Sequence, residues 1–214
     1  MSENKLREDV CYWAGSLFDR GLTGGASGNV SVRTDDGGLL VTPTGVSLGR
    51  LDPARLSRFD AQGRHIDGDA PTKEMPLHSA FYETRTGAGA VVHLHSTHSV
   101  ALSMLPETDP DDVIPPLTAY AVMRVGKVSL LPFFVPGDPA MADAVRSLGG
   151  RRSAVLLANH GPVVASKDLE AAIFAMEELE ETAKLAMILR GTGAVPLEAN
   201  QIDAVVRKFK LEWD

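Results

Sequence analysis

Ala90-Val-Val-His-Leu-His95 reads as a buried strand, apolar except for two histidines spaced two residues apart. Side chains alternate faces along a strand, so His93 and His95 point the same way and can grip one ion. A lone histidine in a core strand is usually just a hydrogen-bonded core residue. Two imidazoles side by side on an apolar strand are costly to bury without a partner. A second apolar run, Ala154-Val-Leu-Leu-Ala158, leads to His160 in the segment Asn159-His-Gly-Pro162. Glu74 follows Pro71-Thr72, where a helix is expected to begin. Three imidazoles and one carboxylate suit zinc best, with other divalent metals open, and the carboxylate is able to give way to substrate. The other histidines read differently. His65 belongs to a hairpin and faces solvent, and His78, one helical turn after Glu74, is a supporting partner. His98, on a different element from His95, is a weaker ligand candidate.

Outward from this strand, residues 4–20 place Leu6, Val10, Trp13, Ala14 and Leu17 at helical spacing, closed by Gly21. Val30-Ser-Val32 and Leu39-Leu-Val41 flank Asp36-Gly-Gly38 as a β-hairpin, and Arg58-Phe59 with His65-Ile66 form a second around Asp60-Ala-Gln-Gly63. A helix is expected over 73–85 with Thr72 as its N-cap and Met75, Leu77, His78 and Phe81 turned partly inward. Further helices are expected over 97–104, 138–148 and 168–190, and strands over 128–133 and 154–158. Residues 105–120, rich in proline and aspartate, read as a long loop. Glu177-Glu-Leu-Glu-Glu181 reads as a solvated or subunit-facing surface, and the tail from Thr192 as less regular.

A chain of 214 residues with 44% hydrophobic residues supports one sizeable core, here a single domain over 1–214 with a tail, 191–214, that has room to lie over the active site. The net charge of −7 and the lack of a basic block argue against a nucleic-acid surface. The single cysteine, Cys11, cannot form an internal disulfide and reads as a core residue. Met1-Ser-Glu-Asn-Lys5 has no signal-peptide pattern, and no apolar run reaches the roughly 18 residues needed to span a membrane. A cytoplasmic location is the expectation.

Three turns offer free backbone N–H groups to an anion: Gly28-Asn29, Thr44-Gly45 and Thr72-Lys73. Any one alone is most simply a turn, and neither a dinucleotide fingerprint nor a triphosphate loop is present among them. Thr72-Lys73 abuts Glu74, however, and so sets an anion site beside the metal set. A phosphorylated substrate that chelates the metal at its other end explains both.

Gly28-Asn-Val-Ser31, Thr42-Pro-Thr-Gly45, Glu74, His93-Leu-His95 and Asn159-His-Gly161 together resemble, in order and spacing, the class II aldolase/adducin family over roughly residues 5–190. The resemblance implies an α/β/α three-layer fold with a mainly antiparallel central sheet flanked by helices. It also implies a homotetramer with active sites between neighbouring subunits. Carried over, His93, His95 and His160 are zinc ligands, and Glu74 is an acid/base residue that also ligates zinc when substrate is absent. Gly28, Asn29, Thr44, Gly45, Thr72 and Lys73 line a phosphate site. Tyr120 matches a tyrosine that reaches a neighbour's site and donates a proton.

Where the sugar-phosphate aldolases of the family carry two serines before the glutamate, this chain has Pro71-Thr72-Lys73. With His93-Leu-His-Ser-Thr-His98, Met123-Arg-Val-Gly126, Pro136-Gly-Asp-Pro139 and Leu156-Leu-Ala-Asn-His-Gly-Pro162, this looks like the 3-oxo-tetronate 4-phosphate decarboxylase branch. A cation at position 73 suits a substrate bearing a carboxylate as well as a phosphate, and an ordinary phosphate contact is the other reading. The implied reaction releases CO2 from a phosphorylated four-carbon sugar acid to give dihydroxyacetone phosphate through a metal-stabilised enediolate. Rival readings are a sugar-phosphate aldolase of the L-fuculose 1-phosphate type, a pentulose-phosphate 4-epimerase and, more remotely, a non-catalytic adducin-like assembly module. Scaffold members have no need of the three histidines and Glu74. A structural zinc site usually closes with cysteine, and Cys11 stands alone.

Overall fold

The computed structural model describes residues 2–213. Two neighbouring strands at the middle of the sheet carry most of what positions the site: β1 (Asn29–Arg33) and β5 (Ala90–His93). They pair antiparallel with Asn29 opposite His93 and Ser31 opposite Val91. β1 also pairs with β2 (Leu39–Val41), which continues through β3 (Ser57–Phe59) to β4 (His65–Asp67). On the other side β5 pairs with β8 (Gly161–Ser166), β8 with β7 (Ala154–Leu157), and β7 with β6 (Val128–Leu131). The eight-stranded sheet therefore runs β4-β3-β2-β1-β5-β8-β7-β6 and is antiparallel except between β6 and β7.

Alternation along the strands sorts the apolar side chains into two layers. Val30, Val92, Leu156 and Val164 join a core built with α1 (Glu3–Asp19) and α6 (Leu169–Leu189), including Val10, Leu17, Ile173 and Met176. Val91, Val155, Leu157 and Val163 face the opposite layer, where α2 (Met75–Thr84) and α5 (Ala140–Ser147) contribute Phe81, Met141 and Val145. Each such fully buried aliphatic side chain stabilises by about 1.5–3 kcal/mol, so both faces drive folding. This is the expected α/β/α architecture. Three further helices complete it: α3 (Thr97–Leu102), α4 (Ala119–Arg124) and α7 (Ala199–Phe209). No helix among the described residues is long and apolar enough to cross a membrane.

Four expectations need correction. The helix expected over 73–85 begins at Met75, with Glu74 at the N-cap position, while the Thr72 hydroxyl accepts from the Glu74 N–H (3.3 Å). The loop expected over 105–120 stops at Thr118, whose hydroxyl accepts from the Ala121 N–H (3.0 Å) and opens α4, so Tyr120 is helical. β8 has no strand signal at its start, because Gly161-Pro162 carries a turn signature. The tail holds α7, opened by reciprocal bonds between Glu198 and Gln201, a capping box. Cys11 is half-buried against the core, and burial pushes its thiol up to about 11, which disfavours the thiolate.

Candidate active site

β5 ends at His93, and His95 follows two residues later. His160 occupies the turn between β7 and β8, and Glu74 precedes α2 on the same side of the sheet. Two glycines permit the convergence. A methyl group on Gly161 would meet the Leu94 carbonyl oxygen at 2.1 Å, so only glycine lets the His160 turn lie against the His95 segment. Gly28 has a φ of 82°, and its backbone runs close under the His93 carbonyl. Asn159 adopts the left-handed conformation at φ 57°, which asparagine tolerates better than most residues.

The imidazole rings of His93, His95 and His160 lie with centroids 4.8–5.0 Å apart, and one nitrogen from each falls within 4.8 Å of the others. Glu74 Oε2 is 3.4 Å from His93 Nε2, and its Oε1 is 3.3 Å from His160 Nε2. Among the described residues, the few buried side-chain polar atoms without a hydrogen-bond partner include Glu74 Oε1, His93 Nε2 and both ring nitrogens of His160. Buried groups left in this state normally have a partner. His93 Nδ1 donates to the Pro162 carbonyl (2.9 Å), which leaves a lone pair on the orphaned Nε2. The donor set therefore fits a divalent cation.

The electrostatics agree. Burial pushes His93 down to about 3, with the other imidazoles adding to the effect against the opposing Glu74 charge. Burial also lowers His95 and His160, helped by the nearby Lys73 ammonium. For Glu74, burial opposes ionisation, but the surrounding imidazoles and a hydrogen bond from Asn29 hold the carboxyl below its ordinary value. Neutral imidazoles and an ionised carboxylate are the protonation states that a metal needs.

The three sequence-marked turns meet beside this cluster. Pro43 and Pro71 form a backbone bridge, the Thr44 N–H donates to the Ala70 carbonyl (2.9 Å), and the Thr72 N–H to that of Thr42 (3.3 Å). Gly28, Asn29, Thr44, Gly45, Thr72 and Lys73 then line a cavity of about 250 Å³ with Glu74, His95 and His160. That is below the roughly 300–1,000 Å³ of drug-sized sites and suits a small substrate. Ser27 and Pro136 also line it, and neither was singled out as a site residue in the sequence.

Tyr120 is not brought to this cavity within the chain; the residue is 56% exposed on α4, with the Arg124 guanidinium 5.8 Å from its ring centroid. Nor does any described residue of the tail line the cavity: α7 packs on α4, and the Leu197 N–H donates to the Pro116 carbonyl (2.9 Å). The acidic stretch needs a correction at one position. Glu180 is not a solvated charge: its carboxylate accepts from the His98 and Ser99 N–H groups, both at 2.9 Å, and from the Ser99 hydroxyl at 2.6 Å. It thereby ties the start of α3, just after His95, to α6. His98 itself pairs with Glu180 (2.8 Å) and stands outside the metal set.

Residues 8–187 match the class II aldolase and adducin N-terminal domain. The chain belongs to the class II aldolase and adducin family. A 3-oxo-tetronate 4-phosphate decarboxylase from Cupriavidus necator is 46% identical over 216 residues, 99% of each chain. An L-fuculose phosphate aldolase from Escherichia coli is 33% identical, over 98% of this chain and 96% of its own. Among solved structures, YgbL from Klebsiella pneumoniae superposes with a TM-score of 0.92 at 45% identity, covering 96% of this chain and 99% of its own. Decarboxylases and aldolases of this family are carbon–carbon lyases, and this chain is an enzyme of that class.

The buried imidazoles make stability pH-dependent. His78, fully buried beneath the site, is pushed down to about 4 by burial, against the pull of Glu74. Between the unfolded histidine pKa of about 6.5 and that value, the unfolded chain binds the extra proton, so stability falls as pH falls. His93 adds to the slope in the same direction. Metal-free protein is therefore expected to lose roughly 1 kcal/mol per pH unit for each of these imidazoles between about pH 6.5 and 4. Urea midpoints in chelator across that range check this, and a flat profile contradicts it.

Proposed function

We propose that the chain decarboxylates 3-oxo-tetronate 4-phosphate to dihydroxyacetone phosphate and CO2, with zinc or a similar divalent ion held by His93, His95, His160 and, before substrate binds, Glu74. The observation that carries this reading is a three-histidine cluster, with His93 Nε2 and both His160 ring nitrogens unsatisfied, set against one small cavity that Glu74, His95 and His160 line together with the three turns and Lys73. The substrate is taken from the 46%-identical relative named for it. A cytoplasmic homotetramer fits the reading. In it Tyr120, exposed and away from its own chain's cavity, reaches a neighbour's site.

In such a site, Gly28, Asn29, Thr44, Gly45 and Thr72 surround the phosphate, with the Thr44 and Thr72 hydroxyls as donors because their N–H groups are taken within the chain. Lys73 pairs with the substrate's anionic groups, the carboxylate included. The bound metal supplies a Lewis acid for the C3 carbonyl, where charge develops. When the C1–C2 bond breaks, its electron pair stays with the C2–C3 unit as CO2 leaves. C2 then takes up one proton, drawn ultimately from water and delivered by Glu74 or by the neighbour's Tyr120. Glu74 is placed to do this because Asn29 Nδ2 donates to its Oε2 (2.7 Å), aiming the carboxylate at the imidazole cluster.

Purified, zinc-loaded protein should release CO2 and dihydroxyacetone phosphate from 3-oxo-tetronate 4-phosphate, and a chelator should stop both. L-Fuculose 1-phosphate, the substrate suggested by the 33%-identical aldolase, should give little dihydroxyacetone phosphate. Turnover of the sugar phosphate alone would overturn the decarboxylase reading. In the same assay Lys73→Met should raise KM for the oxo-acid about ten- to hundredfold, the loss of one charge-assisted contact.

A further inference from the structure

Beneath Glu74 a line of buried polar groups runs between β1 and α2. On β1, Asn29, Ser31 and Arg33 share one face because they are two apart. Facing them, Glu74, His78 and Tyr82 are each one helical turn apart, on and just before α2. The two rows interlock. Asn29 Nδ2 contacts Glu74 Oε2 at 2.7 Å, and Asn29 Oδ1 lies against His78 Nε2. Ser31 Oγ is 2.6 Å from His78 Nδ1 and 2.9 Å from the Tyr82 hydroxyl. Arg33 stacks over the Tyr82 ring at 4.6 Å and closes the row. Glu74, Asn29, Ser31, His78 and Tyr82 are all buried.

Only one direction of hydrogen bonding satisfies every member while Glu74 is ionised. A carboxylate accepts only, so Asn29 must present its NH2 to Glu74 and its carbonyl oxygen to His78. His78 must then carry its proton on Nε2 and leave Nδ1 as an acceptor for the Ser31 hydroxyl. Ser31, whose hydroxyl hydrogen is donated to the His78 Nδ1 hydrogen bond, accepts from Tyr82. Burial pushes the Tyr82 phenol up, so it keeps its proton and serves as the terminal donor. The amide of Asn29 could otherwise turn over and set its oxygen against the carboxylate, which would cost the charge-assisted bond and leave a buried repulsion.

We propose that His78 is a positioning residue for Glu74: it fixes the Asn29 amide, and with it the carboxylate that moves the proton, while Ser31 and Tyr82 set the His78 tautomer. This rests on the role given to Glu74 under Proposed function. It names residues beyond the metal and phosphate sets and commits to one proton arrangement.

Two measurements test it. In 15N spectra of the resting wild-type protein, the signal that disappears in His78→Gln should report a neutral imidazole with the proton on Nε2. An Nδ1-protonated or charged ring would overturn the arrangement, whatever the substrate proves to be. For kinetics, the substrate is whichever of the oxo-acid and L-fuculose 1-phosphate the wild type turns over. If it turns over neither, the functional reading fails and the tautomer measurement alone decides the inference. His78→Phe should lower kcat about 10–100-fold with KM within about twofold and metal near one per chain, the size usual for residues that orient a metal site's ligands. His78→Gln, whose amide nitrogen can take the Nε2 place, should recover to within about fivefold of wild type. Ser31→Ala, a minimal truncation, should lower kcat in the same sense, and it decides the matter if His78→Phe does not fold. Unchanged kcat in His78→Phe and Ser31→Ala overturns the proposal. So does a loss that follows metal content and is not restored by glutamine.

Discussion

Glu74→Gln is expected to lower turnover by about a thousandfold, within the 10²–10⁴ range of a lost general acid/base, while metal content stays near one ion per chain. The substitution keeps the volume of a side chain that is only 4% exposed, so the fold around it is retained. It also leaves an amide oxygen able to accept from Asn29 and to reach the imidazole cluster. Three histidines suffice to hold an ion at a catalytic site with an open position, so the amide's weaker donation should not empty it. What glutamine cannot do is take up and return a proton. Metal analysis alongside kcat separates the outcomes. Near-normal turnover with full metal would transfer the proton step to another group, Tyr120 first. Loss of the ion would mean that Glu74 acts mainly as a ligand.

How much of this could be read from the chain depends on the range of the forces involved. The His93/His95 pair was readable because alternation is local, although the strand expected over 90–95 ends at His93 and His95 lies just beyond it, less buried than His93. The hairpins and long helices carried their own period. β8 was hidden by its first two residues, Gly161 and Pro162, whose turn signature masked the apolar Val163-Val-Ala165 behind them. In the fold those two residues are what the site requires: the glycine for its close approach to Leu94, and the proline carbonyl to orient His93. α7 had a usable signal in the Glu198/Gln201 capping pair and in Ile202, Val205, Val206 and Phe209, which the expectation of a less regular tail from Thr192 passes over.

Glu180 could not have been distinguished from Glu177, Glu178 and Glu181 by composition, since only the landing of α3 against α6 decides which carboxylate finds backbone N–H groups. The polar row under Glu74 has the same character. Its helix half, Glu74, His78 and Tyr82, and its strand half, Asn29 and Ser31, are each visible as patterns, but their pairing joins segments 45–51 residues apart. The branch within the family was read from Pro71-Thr72-Lys73 and four other short motifs, and the partner proposed for Lys73 is a substrate rather than a residue.

His93→Ala is expected to empty the metal site and abolish turnover together, and the reason lies in the apparent cost of the metal-free site. His93 is fully buried, with its Nε2 unsatisfied, and it shares that state with His160 and one oxygen of Glu74. Groups that orient a ligand already change metal affinity about 10–100-fold, so removal of a ligand itself should weaken binding at least about a hundredfold. Stability supplies a readout independent of catalysis. An ion that binds only the folded chain stabilises it by about 2.7 kcal/mol at a hundredfold excess over Kd, so zinc should raise the Tm of the wild type. In His93→Ala, at that same zinc concentration, a hundredfold weaker site is at most about half filled and worth about 0.4 kcal/mol, so most of the zinc-dependent rise should disappear, and protein dialysed against zinc-free buffer should retain little metal. Because alanine also removes one unsatisfied buried nitrogen, the metal-free variant should lose less stability than its large cavity alone would suggest. Full metal and an undiminished zinc shift in His93→Ala would remove His93 from the ligand set, and with it the strand pairing on which the site was first read.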